Sequence, residues 1–450
     1  MRRAILALGL CLASCEQNST IRLRVTEQTI QVNGQPATIY SLVQPDGTWG
    51  VRLNKGDEFN LELENGLPVP TSIHWHGLIL PNSNDGVAYV TQYPLYPGTR
   101  YQYKFPIVQA GTFWMHSHFS FQEQLQLHAP LILQTAEDRE IADKEIVVLL
   151  SDFSFRSPEE IYRELTCPKK MMSMDSPDIV EVKYDAFLAN SHPLSNPEIV
   201  EVKANSRVRL RLINGASATN FFVQLGDLSG EAIAVDGNRI ESLGDQFFEL
   251  AVAQRIDIVL TMPENVGAHP IFFQGEGTSM RSGIVLSKKG VPLPVYSAQV
   301  DQKAGSLQNR QEALYRPLES LPHKIPDQRY VLELGGDMAS YVWTINGQVW
   351  PNITPIIVEE GKRIEMTFQN KSTMAHPMHL HGHTFQVTAI DGKPINGAMR
   401  DTVLVLPGSS VAIQFDANHP GVWPLHCHVL YHREGGMMTL VRYKGYLQPL

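Results

Sequence analysis

The segment HCHVLYHREGGMM, residues 426–438, concentrates side chains that can bind metal. A cysteine stands between two histidines, a third histidine follows five positions later, and a methionine follows ten positions later. Imidazole, thiolate and thioether are ligands that suit copper. Because successive side chains of a strand point to opposite faces, Cys427 faces away from His426 and His428. The segment therefore predicts two metal sites that share one tripeptide.

Paired histidines recur elsewhere in the chain. In a strand, residues i and i+2 project from the same face, so each HxH pair aims two imidazoles at one point. A lone histidine is more often an ordinary core or surface residue, but four such pairs offer eight nitrogen ligands, whereas a single zinc ion takes four ligands. The pairs predict a cluster of copper ions. They are His74 and His76, His116 and His118, His379 and His381, and His426 and His428.

Internal repeats indicate how these pairs are brought together. The segments GDEFNLELEN, NSRVRLRLIN and GKRIEMTFQN each combine a turn, an alternating strand and a final asparagine, at Asn65, Asn214 and Asn370. Nine residues after each asparagine begin HWHG, VQLG and HLHG, with the glycine in register. We infer three copies of one domain, with ligands in the first and third. The second copy carries Val223, Leu225, Phe272 and Gln274 at the paired positions.

The elements that must position the ligands are strands. Alternating segments bounded by Gly, Asn, Asp or Pro recur throughout, and long helical periodicity is scarce, a pattern typical of all-β sandwiches. The repeats place the domains at about residues 20–140, 141–295 and 320–450. The charge balance, 37 Lys+Arg against 46 Asp+Glu, disfavours a nucleic-acid partner.

The N-terminus predicts export. The sequence MRRAILALGLCLASC has basic residues, a short apolar stretch and small residues, and it is too short to span a membrane. We expect residues 1–15 to be a signal peptide with a lipobox, Cys15 becoming the lipidated first residue of an envelope or periplasmic protein; ordinary signal cleavage nearby is the alternative. Exported proteins usually use cysteines for disulfides, so a retained Cys427 thiol favours metal ligation.

The third copy carries potential metal ligands at four aligned positions where the first copy has other residues. At these positions the first copy carries Thr71, Ser117, Gln122 and Leu127. The third copy carries a His₂Cys group with a weak axial thioether, as in blue-copper electron-transfer centres. It comprises His376, Cys427, His432 and Met437, and Met438 is expected to be a core residue.

Together the motifs HxHG, HxH, HxxHxH and HCHxxxH resemble those of the multicopper oxidases, over nearly the whole chain. The resemblance implies three consecutive cupredoxin-like Greek-key β-sandwich domains, with a four-copper set that reduces O₂ to water. It implies that type 1 copper is bound by His376, Cys427, His432 and Met437, and type 2 copper by His74 and His379. It implies that the two type 3 coppers are bound by His76, His116, His118, His381, His426 and His428.

Two acids are candidates for supplying the protons that O₂ reduction consumes. Asp85 matches the "DG" that follows HxHG in the family, and Glu434 lies two residues after a type 1 ligand. A turn aspartate before Gly86 and a solvated surface charge are the alternative interpretations. Of the histidines without a motif role, His383 is the one that lies directly beside a ligand motif, HLHG.

The electron donor is less well indicated. A thioether ligand favours a low potential and easily oxidised donors: Cu(I), Fe(II), phenols and aromatic amines. TSIHWHGLILP and HSHFSFQEQ are similar to bacterial copper-tolerance oxidases. Met171, Met172 and Met174 beside Cys167 either dock Cu(I) or belong to an ordinary loop. We expect the protein to be a monomer. The alternatives to an oxidase are a non-enzymatic envelope assembly protein and a copper store.

Overall fold

The computed structural model describes residues 20–167 and 180–447. The expected signal peptide and the methionines at 171, 172 and 174 lie outside these ranges. Among the described residues, no helix has the length and apolar character needed to cross a membrane. The all-β prediction is confirmed, because strands dominate and the helices are short.

The first domain consists of two four-stranded sheets, ordered β2-β1-β4-β6 and β3-β8-β7-β5. Strand β4 alternates buried and exposed side chains, as a sheet with one face on the core requires. Strands β5 and β7 are buried throughout; they carry His74, His76 and His116, and His118 follows the end of β7 directly. The strands are β1 (Ile21–Val32), β2 (Gln35–Val43), β3 (Val51–Asn54), β4 (Glu58–Asn65), β5 (Ile73–His76), β6 (Arg100–Pro106), β7 (Gly111–Ser117) and β8 (His128–Gln134), with 3₁₀ turns at Asn82–Asn84 and Glu137–Glu140.

The second domain pairs a seven-stranded with a five-stranded sheet, ordered β11-β10-β9-β13-β18-β15-β16 and β12-β20-β19-β14-β17. Its main apolar core forms a cluster of its own, which Ala398 of the third domain joins. The elements are β9 (Lys144–Phe153), α1 (Pro158–Thr166), β10 (Ala186–Ala189), β11 (His192–Pro193), β12 (Glu198–Glu201), β13 (Arg207–Asn214), β14 (Phe221–Gln224), β15 (Gly230–Val235), β16 (Asn238–Asp245), β17 (Phe247–Leu250), β18 (Arg255–Thr261), β19 (Ala268–Gly275) and β20 (Arg281–Ser287).

The third domain repeats the arrangement, with sheets β22-β21-β24-β30-β26-β27 and β23-β32-β31-β25-β29. Its core is continuous with that of the first domain. The elements are β21 (Gln328–Asp337), β22 (Val342–Ile345), β23 (Ile356–Val358), β24 (Arg363–Asn370), β25 (His376–Leu380), β26 (Phe385–Ile390), β27 (Lys393–Pro394), β28 (Met399–Arg400), β29 (Thr402–Val405), β30 (Ser410–Asp416), β31 (Val422–Cys427), α2 (Leu430–Glu434) and β32 (Met438–Tyr443).

The histidine pairs meet because equivalent strands lie side by side in each half. In the first domain β5 pairs antiparallel with β7, so that His74 is opposite His116. In the third domain β25 pairs antiparallel with β31, so that His379 is opposite His426. Adjacent strands of one sheet therefore place two pairs on a common face, and the two halves face each other across the domain interface.

The repeated asparagine has the same function in all three domains. Its side-chain amide donates to two backbone carbonyls, of Val69 and Leu95 for Asn65, and its oxygen accepts from the amide two residues on. Asn214 and Asn370 form the same three bonds at their own positions. Each asparagine thus fixes the loop that leads into the strand bearing the first histidine pair or its counterpart.

Helix α1 connects the second domain to the third. Ser157 caps it through a capping box with Glu160, and Pro158 occupies its first turn. The Tyr162 hydroxyl donates to the backbone carbonyl of Glu434 at 3.1 Å. The helix therefore holds the α2 segment, which contains His432.

We expect Asn370→Ala and Asn214→Ala to lower the free energy of unfolding by about 2–4 kcal/mol each, because either change leaves buried carbonyl and amide groups unpaired. Chemical denaturation of both variants measures this. Only Asn370→Ala should also weaken metal binding, since its loop leads to His376 and His379. Equal retention of metal by the two variants would contradict the positioning role.

Candidate copper sites

The third domain brings one thiolate and two imidazoles together. Cys427 Sγ lies 3.6 Å from Nδ1 of both His376 and His432, and these two nitrogens are 3.1 Å apart. Ligands about 2.0–2.3 Å from one ion have mutual separations of this order. The three residues are fully buried, so they could hold one ion away from water.

The second nitrogen of each imidazole is tethered. His376 Nε2 is 2.7 Å from the Ser372 hydroxyl, and His432 Nε2 is 3.2 Å from the Glu181 carboxylate. Such contacts fix the ring orientation and leave Nδ1 for the metal. The Trp343 ring covers His432, with centroids 4.1 Å apart.

The two adjacent methionines lie in different surroundings. Met437 is fully buried in the same apolar cluster as Cys427, and its carbonyl accepts from the Cys427 amide at 3.0 Å. Met438 pairs with His426 in the sheet and packs with Val87 in another cluster. This difference favours Met437 as the thioether beside the thiolate, with Met438 in the core.

The first domain fills the equivalent position with hydrogen bonds. Gln122 Oε1 accepts from the Thr71 hydroxyl at 2.7 Å and the Ser117 hydroxyl at 2.9 Å, and Leu127 is buried nearby. These are the counterparts of the His376, Cys427, His432 and Met437 set. The same geometry thus holds a polar triad in one domain and a soft metal-binding set in the other.

The eight remaining histidines converge between the first and third domains. Across this interface, Nε2–Nε2 distances are 3.5 Å from His74 to His379, 3.3 Å from His118 to His426 and 3.3 Å from His116 to His428. His381 Nε2 is 3.0 Å from His426 Nε2. His76 stacks on His379 with centroids 3.7 Å apart. Every predicted cluster histidine is therefore brought to one buried site.

The outward nitrogens of these rings are held by the chain. His379 Nδ1 donates to the Asp401 carbonyl at 2.8 Å, and His426 Nδ1 donates to the Cys427 carbonyl at 2.9 Å. His74 Nδ1 donates to the Asp85 carbonyl at 2.9 Å. Because the outward nitrogen is the donor, Nε2 carries the lone pair that faces the cluster.

His76 is turned the other way. Its Nε2 lies 3.0 Å from the Asp401 carboxylate and 3.2 Å from the Thr402 hydroxyl. Its Nδ1 is buried and has no hydrogen-bond partner among the residues described. An unpaired nitrogen within a group of neutral imidazoles suits a metal ligand, so the donor set fits copper.

Burial favours the neutral imidazoles that metal binding requires. Burial lowers the pKa of His379 to about 3, although the Asp401 charge opposes it. Burial likewise holds the pKa values of six other histidines of the cluster well below the ordinary value. They are His76, His116, His118, His381, His426 and His428. Burial also raises the pKa of Cys427, so its thiolate needs a cation.

Asp85 lies at the cluster. Its carboxylate is 3.0 Å from His381 Nδ1 and 3.3 Å from His74 Nδ1, and it is fully buried. Burial raises its pKa, and the nearby His74 opposes that rise. The residue therefore contacts one cluster histidine from each half, a position that a simple turn aspartate would not need.

A second acid, Glu123, was not found by sequence reasoning. Its carboxylate oxygens lie 3.4 Å from His116 Nδ1, 3.5 Å from His428 Nδ1 and 3.5 Å from the Arg433 guanidinium. Burial raises the pKa of Glu123 to about 8, although Arg433 and His74 oppose the rise. The only sequence signal was its place in FQEQ, five residues after His118.

Glu434 lies further out than Asp85. Its carboxylate is 3.3 Å from Arg433, and its side chain is 29% exposed. Arg433 in turn contacts Glu123. Glu434 therefore lies at the solvent end of a charged chain that reaches the cluster through Glu123.

His383 has a structural environment. Its Nδ1 donates to the His381 carbonyl at 2.9 Å, and its Nε2 accepts from the Tyr443 hydroxyl at 2.7 Å. Both nitrogens are therefore satisfied, and His383 supports the backbone of a ligand without facing the cluster.

A cavity of about 1180 Å³ lies beside the thiolate site. His432, Glu181, Met374 and Met280 contribute to its lining. Glu181 also accepts from the Tyr341 hydroxyl at 2.9 Å, and its side chain is only 5% exposed. A donor in this cavity would meet a carboxylate in contact with a metal-site imidazole.

Family profiles described as multicopper oxidase match residues 16–138, 144–290 and 322–445. The multicopper oxidase MmcO of Mycobacterium tuberculosis is 31% identical over 87% of this chain and 81% of its own. The chain belongs to the multicopper oxidase family. It is accordingly a copper-dependent oxidoreductase that uses O₂ as the electron acceptor.

Other relatives extend this likeness. Copper resistance protein A of Escherichia coli is 25% identical over 97% of this chain and 94% of its own. The multicopper oxidase Fet3p, described as functioning in iron import, superposes with a TM-score of 0.80 at 22% identity, covering 95% of this chain and 90% of that one. The predicted cupredoxin-like architecture is confirmed by such neighbours.

Proposed function

We propose that this multicopper oxidase is an exported copper-tolerance enzyme that takes electrons singly from Cu(I), Fe(II), phenols or aromatic amines. The single observation that carries the proposal is the position of Cys427 between His426 and His428. Its sulfur belongs to one site and its two neighbours belong to the other. Donor oxidation and O₂ reduction are thereby separated in space yet linked by one tripeptide.

The family resemblance and the distances between the histidines support an assignment of four coppers. The type 1 ion would be held by the group around Cys427, and the type 2 ion by His74 and His379. One type 3 ion would be held by His118, His381 and His426, and the other by His76, His116 and His428. When bound, these ions supply one-electron transfer and O₂ binding.

The chain supplies a short path between the sites. His426 Nδ1 donates to the Cys427 carbonyl at 2.9 Å, and His428 follows Cys427 directly. Covalent bonds and one hydrogen bond therefore connect the sulfur to imidazoles of both type 3 positions. Burial of the tripeptide keeps water out of this connection.

Copper tolerance is supported by the relatives named copper resistance protein A and by the donor cavity. Glu181 would attract a cationic donor to the His432 edge, and Met374 and Met280 add soft sulfur to the same cavity. Val180, which lines the cavity, follows the segment with Met171, Met172 and Met174, whose Cu(I)-docking role stays a prediction.

An envelope location suits a protein that meets toxic Cu(I), and the predicted Cys15 anchor would hold it there. A copper store or an assembly factor would have no use for a thiolate site joined to a histidine cluster. The oxidase proposal accounts for both sites and for their connection.

Oxygen uptake by the copper-loaded protein tests the proposal. We expect uptake with Cu(I) and with 2,6-dimethoxyphenol, and loss of both uptake and blue absorption in Cys427→Ser, because serine cannot replace the thiolate. Cys167→Ser is the matched control and should keep wild-type blue absorption and wild-type uptake with 2,6-dimethoxyphenol. A blue, copper-loaded protein that consumes no oxygen with any of the proposed donors would contradict the proposal.

We propose that Asp85 and Glu123 hold protons at the cluster and that the partly exposed Glu434 exchanges protons with solvent outside it, beyond the permanently charged Arg433. Asp85→Asn and Glu123→Gln should slow O₂ reduction by roughly 10²-fold, the lower range for a positioned proton donor, while blue absorption persists. Glu434→Gln should have a smaller effect, because water reaches its position. Stopped-flow reoxidation of the reduced protein measures this, and wild-type rates in Asp85→Asn and Glu123→Gln would refute the roles.

Glu181 should distinguish cationic donors from neutral ones. We expect Glu181→Gln to lower kcat/KM for Cu(I) and Fe(II) by about tenfold more than for a neutral phenol, because the negative charge attracts only the cations. Glu276→Gln is the control, since Glu276 lines the same cavity but bonds to Asn220 and Leu307. Equal losses for all donors in Glu181→Gln would show that Glu181 acts through His432 alone.

A further inference from the structure

The second domain reaches the cluster although its paired positions carry Val223, Leu225, Phe272 and Gln274. Arg255, the first residue of β18, is fully buried and forms a two-pronged pair with Asp401 of the third domain. Its Nη1 and Nη2 lie 2.6 Å from Oδ1 and Oδ2 of that carboxylate. The same carboxylate contacts His76 of the first domain at 3.0 Å. We propose that Arg255 is a positioning residue for the histidine cluster, acting through Asp401.

Arg255 is held by all three domains. Its Nε donates to the Thr112 carbonyl of the first domain at 3.1 Å, and its backbone amide donates to Asp236 of its own domain at 2.9 Å. The pair with Asp401 supplies the contact with the third domain. A guanidinium fixed on three sides gives Asp401 one orientation, which a flexible ammonium could not do.

Asp401 sets two rings at once. Its carboxylate holds His76 Nε2, which turns Nδ1 of that ring toward the cluster, and its carbonyl holds His379 Nδ1, which turns Nε2 inward. The Thr402 hydroxyl donates to the same carboxylate at 2.9 Å. The two rings stack 15° from parallel. Displacement of Asp401 would therefore disturb one ligand from each of the two metal-binding domains.

The glycine of the HWHG motif supports this inference independently. Gly77 has φ +86°, and a Cβ there would lie 2.5 Å from Asp401 Oδ2 and 2.6 Å from Arg255 Nη2. The ion pair occupies the space that a side chain would need. In HLHG, Gly382 instead avoids the Trp423 ring. The Arg255–Asp401 pair thus explains why the HWHG motif has glycine at position 77.

Arg211 offers a matched control. It is also fully buried, also belongs to the second domain, and also reaches Thr112, whose hydroxyl is 2.9 Å from its Nη1. Its carboxylate partners are Glu145 and Asp257, neither of which is a partner of His76 or His379. Arg255→Lys and Arg211→Lys therefore remove comparable buried guanidinium contacts and differ in the link to Asp401.

The inference rests on the proposed copper function and is tested by copper binding. We expect Arg255→Lys to keep the blue absorption of the Cys427 site but to bind cluster copper about 10–100-fold more weakly, the usual cost of removing a supporting contact to a metal ligand. Competition with a chelator, followed by metal analysis per chain, measures the affinity. Electron paramagnetic resonance of the oxidised protein should show an altered or missing type 2 signal.

Arg211→Lys should retain wild-type copper content and a wild-type type 2 signal. Asp401→Asn keeps the side-chain shape but cannot accept from both guanidinium nitrogens. It should therefore show the same weakened copper binding, and it replaces Arg255→Lys in the test if that variant is insoluble. Unchanged copper affinity and signal in Arg255→Lys or Asp401→Asn would overturn the inference, as would an equal deficit in Arg211→Lys. Failure of the wild type to bind copper would instead refute the proposed function.

Discussion

The metal sites depend on one constraint: each buried imidazole must present one particular nitrogen to the interior. A ring free to flip would offer a donor hydrogen as readily as a lone pair. The chain prevents this by tethering outward nitrogens, to carbonyls for His74, His379 and His426 and to a carboxylate for His76. Burial lowers the pKa of His76, His379 and His426, so that copper competes with few protons at these rings.

The same constraint explains why the domain interfaces are charged. An isolated buried charge would be very costly, and removing one partner of a buried pair costs about 3–5 kcal/mol. Burial alone would raise the pKa of Asp401. The Arg255 charge and hydrogen bonds outweigh this effect and hold the pKa below its ordinary value. Arg400 similarly pairs with Asp236 and Glu312. The Arg255–Asp401 pair thus joins two domains and also orients His76 and His379.

Sequence pattern predicted the ligands but few of their supports. The i, i+2 spacing and the repeated asparagine are local, so the histidine pairs and the three domains were predicted from spacing and repeats, and the thiolate site was predicted by aligning the third copy with the first. Asp401, Arg255 and Glu181 come from distant segments, and they gain their roles only when strands of different domains meet. Glu123 illustrates the same limit, because its raised pKa arises from tertiary burial. Asp85 was found only because a family motif contains it.

The comparison of the first and third domains suggests why the thiolate site occurs once. The triad of Thr71, Ser117 and Gln122 satisfies its polar groups internally, so that position is stable without an ion. In the third domain, His376 and His432 turn Nδ1 toward Cys427, a set that needs a cation for its thiolate. The first domain has no HCH connection to the cluster, because Ser117 stands between His116 and His118 at the position that Cys427 occupies in the third domain. The thiolate site beside the donor cavity would therefore take up the electrons, and strand β31 connects that site to the histidine cluster.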